Sequence, residues 1–116
     1  MTKKEKIYSR KILLEENAQK IIGILKEKYS PEKIILFGSL ATGKIRETSD
    51  LDLLVIKKTR KSFFNRLREI ADLCEVNVGA DIIVYTPSEF DAEAKTNPFF
   101  KEEILKKGKV IYERAA

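Results

Sequence analysis

The chain has 116 residues, 43% of them hydrophobic and 35% charged, with 23 Lys and Arg against 18 Asp and Glu for a formal net charge of +5. This length predicts one domain, residues 1–116, with a single core. One cysteine and no histidine exclude a disulfide framework and a Cys/His zinc site. Any bound metal must then be held by carboxylates, which favours Mg2+. No signal peptide and no membrane-spanning apolar run are visible, which predicts a cytoplasmic protein without a membrane partner.

The first half of the chain predicts a long helix and two strands. Apolar residues recur at helical spacing over residues 7–29, and Ser30-Pro31 ends this pattern. Residues 34–37 predict a strand that is apolar on both faces and is therefore covered by helices on both sides. Residues 38–49 form a loop rich in Gly, Ser and Thr, with room for one helical turn, and residues 50–56 predict the second strand.

The second half alternates helical and strand patterns. Residues 63–74 carry a helical stripe, and residues 76–85 predict a third strand that is broken near Gly79. A capping box at residues 86–89 opens another helix, a short helix follows from Asn97-Pro98, and residues 109–112 predict a last strand. This order indicates an α/β (α+β) fold, with a mixed sheet of about four strands flanked by helices.

Two segments have simple structural interpretations. The basic run 57–61 is expected to be a solvated loop, with contact to RNA or an acidic partner as the alternative. Phe99-Phe100 is expected to anchor the core, although an exposed pair could instead form a partner surface.

Two carboxylates open the otherwise apolar second strand. Because residues two apart in a strand project from the same face, Asp50 and Asp52 are expected to lie side by side, where their like charges repel. A cation between them removes this conflict, and two divalent ions held by such a pair suit phosphoryl transfer. The alternative is that Asp50 caps a turn and that Asp52 is merely exposed.

A third carboxylate, Asp81, opens the third strand. If this strand lies beside the second, all three carboxylates converge at one end of the sheet. Asp81 could then ligate one metal ion and accept the proton of an attacking hydroxyl. Taken alone, Asp81 could also be an ordinary acid at the edge of a strand, because Gly79-Ala80 before it looks like a turn.

The dipeptide Gly38-Ser39 follows the first strand directly. Glycine lets the backbone approach a phosphate closely, and Ser39 with the adjacent amides can donate hydrogen bonds to that phosphate. Lys44 and Arg46, further along the same loop, could balance phosphate charge. A Gly-Ser pair by itself is usually only a turn, and the sequence contains no Walker P-loop.

Taken together, a strand, Gly38-Ser39, ten intervening residues and Asp50-Leu51-Asp52 resemble the signature of the DNA polymerase β-like nucleotidyltransferase superfamily. Residues 38–43 (GSLATG) and 48–53 (TSDLDL) are most similar to its minimal (MNT) members. Those are small proteins, often paired with a HEPN-domain protein as antitoxin and toxin. The resemblance runs from about residue 34 to residue 81, and residues 104–113 look like the closing segment of that family.

The resemblance implies a role for each matching residue. Gly38 and Ser39 would hold the β- and γ-phosphates of a nucleoside triphosphate. Asp50 and Asp52 would ligate two Mg2+ ions, and Asp81 would complete one metal site and activate the acceptor. Lys44 and Arg46 are further nucleotide-binding candidates because of their charge.

The implied reaction is transfer of a nucleoside monophosphate, AMP from ATP, to a hydroxyl. A tyrosine of a cognate HEPN toxin is the expected acceptor, since a small domain has little surface with which to enclose a small molecule. One alternative is an antitoxin that neutralises its partner by complex formation without catalysis. Another is a small-molecule (antibiotic-type) nucleotidyltransferase, completed as a homo-oligomer. A nucleic-acid partner is not expected.

Overall fold

A computed structural model describes residues 1–75 and 79–115 of the chain. Its four-stranded sheet has the order β3-β2-β1-β4. Strand β1 is antiparallel to both β2 and β4, whereas β2 and β3 are parallel. The strands are β1 (Lys33–Phe37), β2 (Leu51–Ile56), β3 (Ala80–Tyr85) and β4 (Lys109–Glu113). The predicted fold class, a mixed sheet of about four strands flanked by helices, is confirmed.

The helices begin where the sequence supplies caps. The side chain of Thr2 accepts a hydrogen bond from the Glu5 amide, and the Glu5 carboxylate accepts one from the Thr2 amide. Thr86 and Glu89 repeat this arrangement further along the chain. The helices are α1 (Lys3–Lys28), α2 (Ser39–Thr42), α3 (Phe63–Leu73), α4 (Pro87–Thr96) and α5 (Pro98–Phe100), and α5 continues into a π-helical segment, Lys101–Lys106. None of the helices in the described ranges is long and apolar enough to cross a bilayer.

The sheet is covered on both faces, as the doubly apolar β1 predicts. Ile34 packs with residues of α1 and α3 on one face. Ile35 and Phe37 point to the other face, where they meet Phe100 and Ile104. Alternate residues of a strand project to opposite faces, so the unbroken apolar run of β1 contributes side chains to the core on both faces of the sheet.

Helix α3 is the crossover connection between the parallel strands β2 and β3. The buried Arg66 links this helix to β3 by hydrogen bonds. Arg66 Nη1 donates to the Val84 carbonyl at 3.2 Å and to a Glu89 carboxylate oxygen at 2.7 Å. Its Nε donates to the Lys61 carbonyl at 2.9 Å. Because Val84 belongs to β3, these bonds hold the strand that carries Asp81.

The start of the second strand differs from the prediction. Strand β2 begins at Leu51 rather than at Asp50. Strand β1 ends at Phe37, opposite Asp52, so pairing with β1 does not extend as far as Asp50. The third strand begins at Ala80, and positions 76–78 of its predicted range lie outside the described residues.

Two simple interpretations are partly wrong. Phe100 is buried, but Phe99 is 65% exposed, because successive residues of a helix point in different directions. The basic run is not merely solvated, since Lys57 donates to the Tyr29 carbonyl and lies 4.1 Å from the centre of the Tyr29 ring. Lys61 makes an ion pair with Glu69 at 2.9 Å.

Candidate active site

Asp52 and Asp81 are directly opposite each other on two parallel strands. Neighbours in a sheet register project from the same face, so these carboxylates lie side by side. On its other flank Asp52 pairs with Phe37, the last residue of β1. The turn that begins at Gly38 therefore starts beside the Asp52 carboxylate, and the structure brings Asp52, Asp81 and Gly38-Ser39 together.

Gly38 is required at its position for two reasons. Its backbone angles, φ 75° and ψ −154°, lie in a region that is essentially restricted to glycine. A Cβ atom on Gly38 would also lie 2.1 Å from Asp52 Oδ2. The carbonyl of Gly38 then accepts hydrogen bonds from the amides of Ala41 and Thr42, both at 3.1 Å, which closes the single turn of α2 that the sequence predicted.

Asp50 lies just before β2 and faces a different neighbour. Its Oδ1 is 3.6 Å from Nη2 of Arg10, a residue of α1. A Cβ atom on Gly79 would lie 2.2 Å from the same oxygen. Asp50 is thus placed against the backbone that leads into β3, whereas Asp52 is placed against the turn that follows β1.

Electrostatics link the three carboxylates. The pKa of Asp52 is raised from 3.8 to about 6, first because burial disfavours the charged form, and then because Asp81 and Asp50 repel its charge. The three predicted acids therefore form one cluster of negative charge, with Asp52 at its centre.

A cleft of about 390 Å³ opens beside this cluster. It contains both predicted cations together with Ser39 and Asp52. Residues 46–49, part of the loop that lines this cleft, form a turn. The Arg46 amide donates to Ser49 Oγ at 2.7 Å, and the Ser49 amide donates to the Arg46 carbonyl at 3.1 Å. The lining residues are Ser39, Thr42, Lys44, Arg46, Thr48, Ser49 and Asp52.

Asp81 also borders a second, smaller cleft of about 280 Å³ between α3 and β3. Apart from Asp81, this cleft is lined by apolar side chains and by the buried Cys74. Its neighbours Ala80 and Ile82 pack on the α3 side, so the Asp81 carboxylate projects to the opposite face of the sheet, together with that of Asp52.

Carboxylate oxygens are the donor atoms that this site offers to a metal ion. Within residues 1–75 and 79–115, no three His, Cys, Asp or Glu side chains converge on one point. Asp52 and Asp81 supply adjacent carboxylates, the ligands that Mg2+ prefers, and Asp50 is held by Arg10. The residues fit a hard cation bound by Asp52 and Asp81, and Asp50 joins them if it turns away from Arg10.

Arg10 is the member of the site that sequence reasoning missed. Its Nε donates to the carbonyl of Ser49 at 2.7 Å, across 39 positions of sequence. Arg10 is one of many cations in α1, and helical periodicity marks apolar faces but not single polar contacts. No signal in the sequence distinguishes it from its neighbours.

The contact between Gly38 and Asp52 predicts a coupling that a double-mutant cycle can measure. Gly38→Ala is expected to destabilise the protein by about 2 kcal/mol or more, from its backbone conformation and from collision with the carboxylate. In an Asp52→Ala background the carboxylate is gone and only the Cβ of residue 52, at 3.3 Å, remains close, so the cost falls. Gly43→Ala is the control, because Gly43 also has a positive φ, 82°, but nothing lies within 4 Å of its added Cβ. Chemical denaturation checks this, and an equal cost of Gly38→Ala in both backgrounds would contradict it.

The cause of the Asp52 pKa shift predicts how the shift can be reduced. Asp81→Asn removes one repelling charge, so the pKa of Asp52 should fall from about 6 toward 3.8. The raised pKa means that the folded state binds this proton more tightly than the unfolded state does. Asp52 therefore contributes stability below about pH 4 that is lost as the pH rises through 6, and this loss should be smaller in Asp81→Asn. An NMR titration of the Asp52 carboxyl carbon in EDTA measures the pKa. The exposed Asp91→Asn serves as control, and an unchanged Asp52 pKa in Asp81→Asn would refute the assignment.

Comparison with known proteins gives a consistent result. Residues 19–116 match the family described as "Polymerase beta, Nucleotidyltransferase". A Methanocaldococcus jannaschii protein named "Putative protein adenylyltransferase MJ0604" is 32% identical over 103 residues, which cover 84% of this chain and 97% of that protein. A second from the same organism, "Putative protein adenylyltransferase MJ1379", is 32% identical over 82 residues, or 70% of this chain and 77% of the relative.

A solved structure supports the fold independently. The crystal structure of "a putative nucleotidyltransferase from Sulfolobus solfataricus" superposes with a TM-score of 0.66 at 22% sequence identity, covering 94% of this chain and 88% of that one. The match to the family spans most of the chain, including β1, β2, β3 and the turn between β1 and β2. The chain belongs to the polymerase beta-type nucleotidyltransferase family.

Proposed function

We propose that this chain is a Mg2+-dependent protein adenylyltransferase, which transfers AMP from ATP to a tyrosine hydroxyl of a HEPN-domain toxin and so acts as its antitoxin. The observation that carries the chemistry is the adjacency of Asp52 and Asp81, directly beside the turn at Gly38. The two Methanocaldococcus relatives, named as protein adenylyltransferases, support AMP as the group transferred and a protein as the acceptor.

The polar cleft supplies the binding groups for the triphosphate. Lys44 and Arg46 line it together with Ser39, so two cations and a hydroxyl donor face the same space. Gly38 leaves no side chain between this space and Asp52. The β- and γ-phosphates bind here in our proposal, and the α-phosphate lies beside the carboxylates.

The transfer step needs one base and one leaving group. Asp81 accepts the proton of the acceptor hydroxyl, and the hydroxyl oxygen forms a bond to the α-phosphorus. The bond from that phosphorus to the bridging oxygen breaks, and pyrophosphate leaves with the electron pair. Mg2+ held by Asp50, Asp52 and Asp81 would neutralise the phosphate oxygens and orient the attacking and leaving groups.

The acceptor hydroxyl has to reach Asp81 on the face of the sheet that this carboxylate shares with Asp52. Alternation along β3 places Asp81 on the same face as Ile83 and Tyr85, whereas Ala80 and Ile82 face α3 and the apolar cleft. A tyrosine presented by another protein brings its own binding surface to this site, and a domain of this size has little surface with which to enclose a small molecule.

The test is to incubate the purified protein with ATP, Mg2+ and a HEPN-domain protein from the same genome. Intact mass spectrometry should show that the HEPN-domain protein gains the mass of AMP, with one pyrophosphate released for each AMP transferred. Asp52→Asn should lower the rate by at least about 100-fold, because the central carboxylate of the site is neutralised. Asp91→Asn removes the same charge from an exposed position outside both clefts and should leave the rate unchanged.

Other results would identify the alternatives. A tight complex that neutralises the toxin without pyrophosphate release, and that Asp52→Asn leaves intact, would indicate an antitoxin that acts by binding alone. AMP transfer to a small-molecule hydroxyl but not to the protein would indicate an antibiotic-type nucleotidyltransferase.

A further inference from the structure

Arg10 connects the first helix to the start of β2. Its side chain is partly buried, with 22% of it exposed. It makes two contacts of different strength: Nε donates to the Ser49 carbonyl at 2.7 Å, whereas Nη2 lies 3.6 Å from Asp50 Oδ1. The first is a short charge-assisted hydrogen bond, and the second is an ion pair that is too long for a hydrogen bond.

Asp50 has two close neighbours, although 52% of its side chain is exposed. The oxygen that faces Arg10 also lies against Gly79, where an added Cβ would be 2.2 Å away. Asp52, by contrast, lies against Gly38 on the opposite side. The two carboxylates are therefore held toward different neighbours, which agrees with the absence of a three-ligand group among the described residues.

We propose that Arg10 is a positioning residue: it holds Asp50 in an ion pair until a divalent cation takes the place of the guanidinium. Its positive charge thereby lowers the affinity of the site for the metal. This inference rests on the proposed function, because it takes Asp50 to be a metal ligand. The unequal contacts make the exchange possible. Asp50 can leave the long ion pair while the bond from Nε to Ser49 keeps α1 attached to the start of β2.

The positive charge has a second effect on the site. A guanidinium beside one ligand repels an incoming dication, and it also lowers the mutual repulsion of the three carboxylates when no metal is bound. Arg10 therefore favours the metal-free arrangement and weakens metal binding. If Arg10 had a purely structural role, its substitution would have the opposite effect on metal affinity, because loss of the residue would disorder the ligands and weaken metal binding.

The test uses Mn2+ alone as the probe, titrated into the nucleotide-free protein and followed by the electron paramagnetic resonance signal of unbound Mn2+. Arg10→Gln removes the charge and should lower the dissociation constant for Mn2+ by roughly 3- to 10-fold. Arg10→Lys keeps the charge but loses the two-pronged contact. It should stay within about twofold of the wild type for Mn2+ while melting at a lower temperature.

Lys20→Gln is the matched control. Lys20 is exposed on the same helix, and ten residues of helix place it roughly 15 Å from Arg10 along the axis. This exceeds the screening length of about 10 Å at 0.1 M salt, so Mn2+ affinity should not change. Weaker or unchanged Mn2+ binding in a folded Arg10→Gln protein would overturn the inference. So would equal loss of affinity in Arg10→Gln and Arg10→Lys.

The result of the Mn2+ titration can be distinguished from the result of the test of the proposed function. If the wild type transfers AMP but Arg10→Gln does not bind Mn2+ more tightly, the role of Arg10 is wrong and the function stands. If Arg10→Gln binds Mn2+ more tightly but no acceptor is modified, the role of Arg10 stands and the function is wrong.

Discussion

The parallel pairing of β2 with β3 is the constraint on which the site depends. Its register places Asp52 beside Asp81, two like charges that a folded protein would ordinarily keep apart. The arrangement persists because the apolar remainder of both strands is covered on both faces and because Arg66 fastens β3 to α3. Packing far from the carboxylates thus offsets the repulsion, and the site is left with an affinity for cations.

Much of this arrangement could be predicted from local sequence patterns. The apolar run of β1 indicated a strand covered on both faces, and the spacing of apolar residues in α1 indicated its buried side, which includes Leu14, Ile21 and Leu25. Gly38 was predicted to let a phosphate approach the backbone closely, and in the structure the group that lies against it is the Asp52 carboxylate. Such features depend on neighbours in sequence, and local propensity is sufficient to predict them.

The rest depends on contacts between distant parts of the chain. The position of Asp81 beside Asp52 depends on the strand order and on the register of β3 against β2. The apolar pattern of β3 is compatible with more than one register, so the sequence alone did not determine this contact. Arg10 reaches its partners across 39 residues and has no local signature. The exposure of Phe99 beside the buried Phe100 likewise follows from how α5 meets the sheet, and the sequence FF does not determine which ring is buried.

In the proposed function, one site formed by Gly38-Ser39 and the three carboxylates binds the nucleotide and its metal. A crystal structure with Mg2+ and a non-hydrolysable ATP analogue tests this most directly. We expect the triphosphate in the cleft lined by Ser39, Lys44 and Arg46, with Mg2+ roughly 2.0–2.1 Å from oxygens of Asp52 and Asp81. Nucleotide bound elsewhere on the chain, or bound in this cleft with no metal contact to either carboxylate, would contradict it.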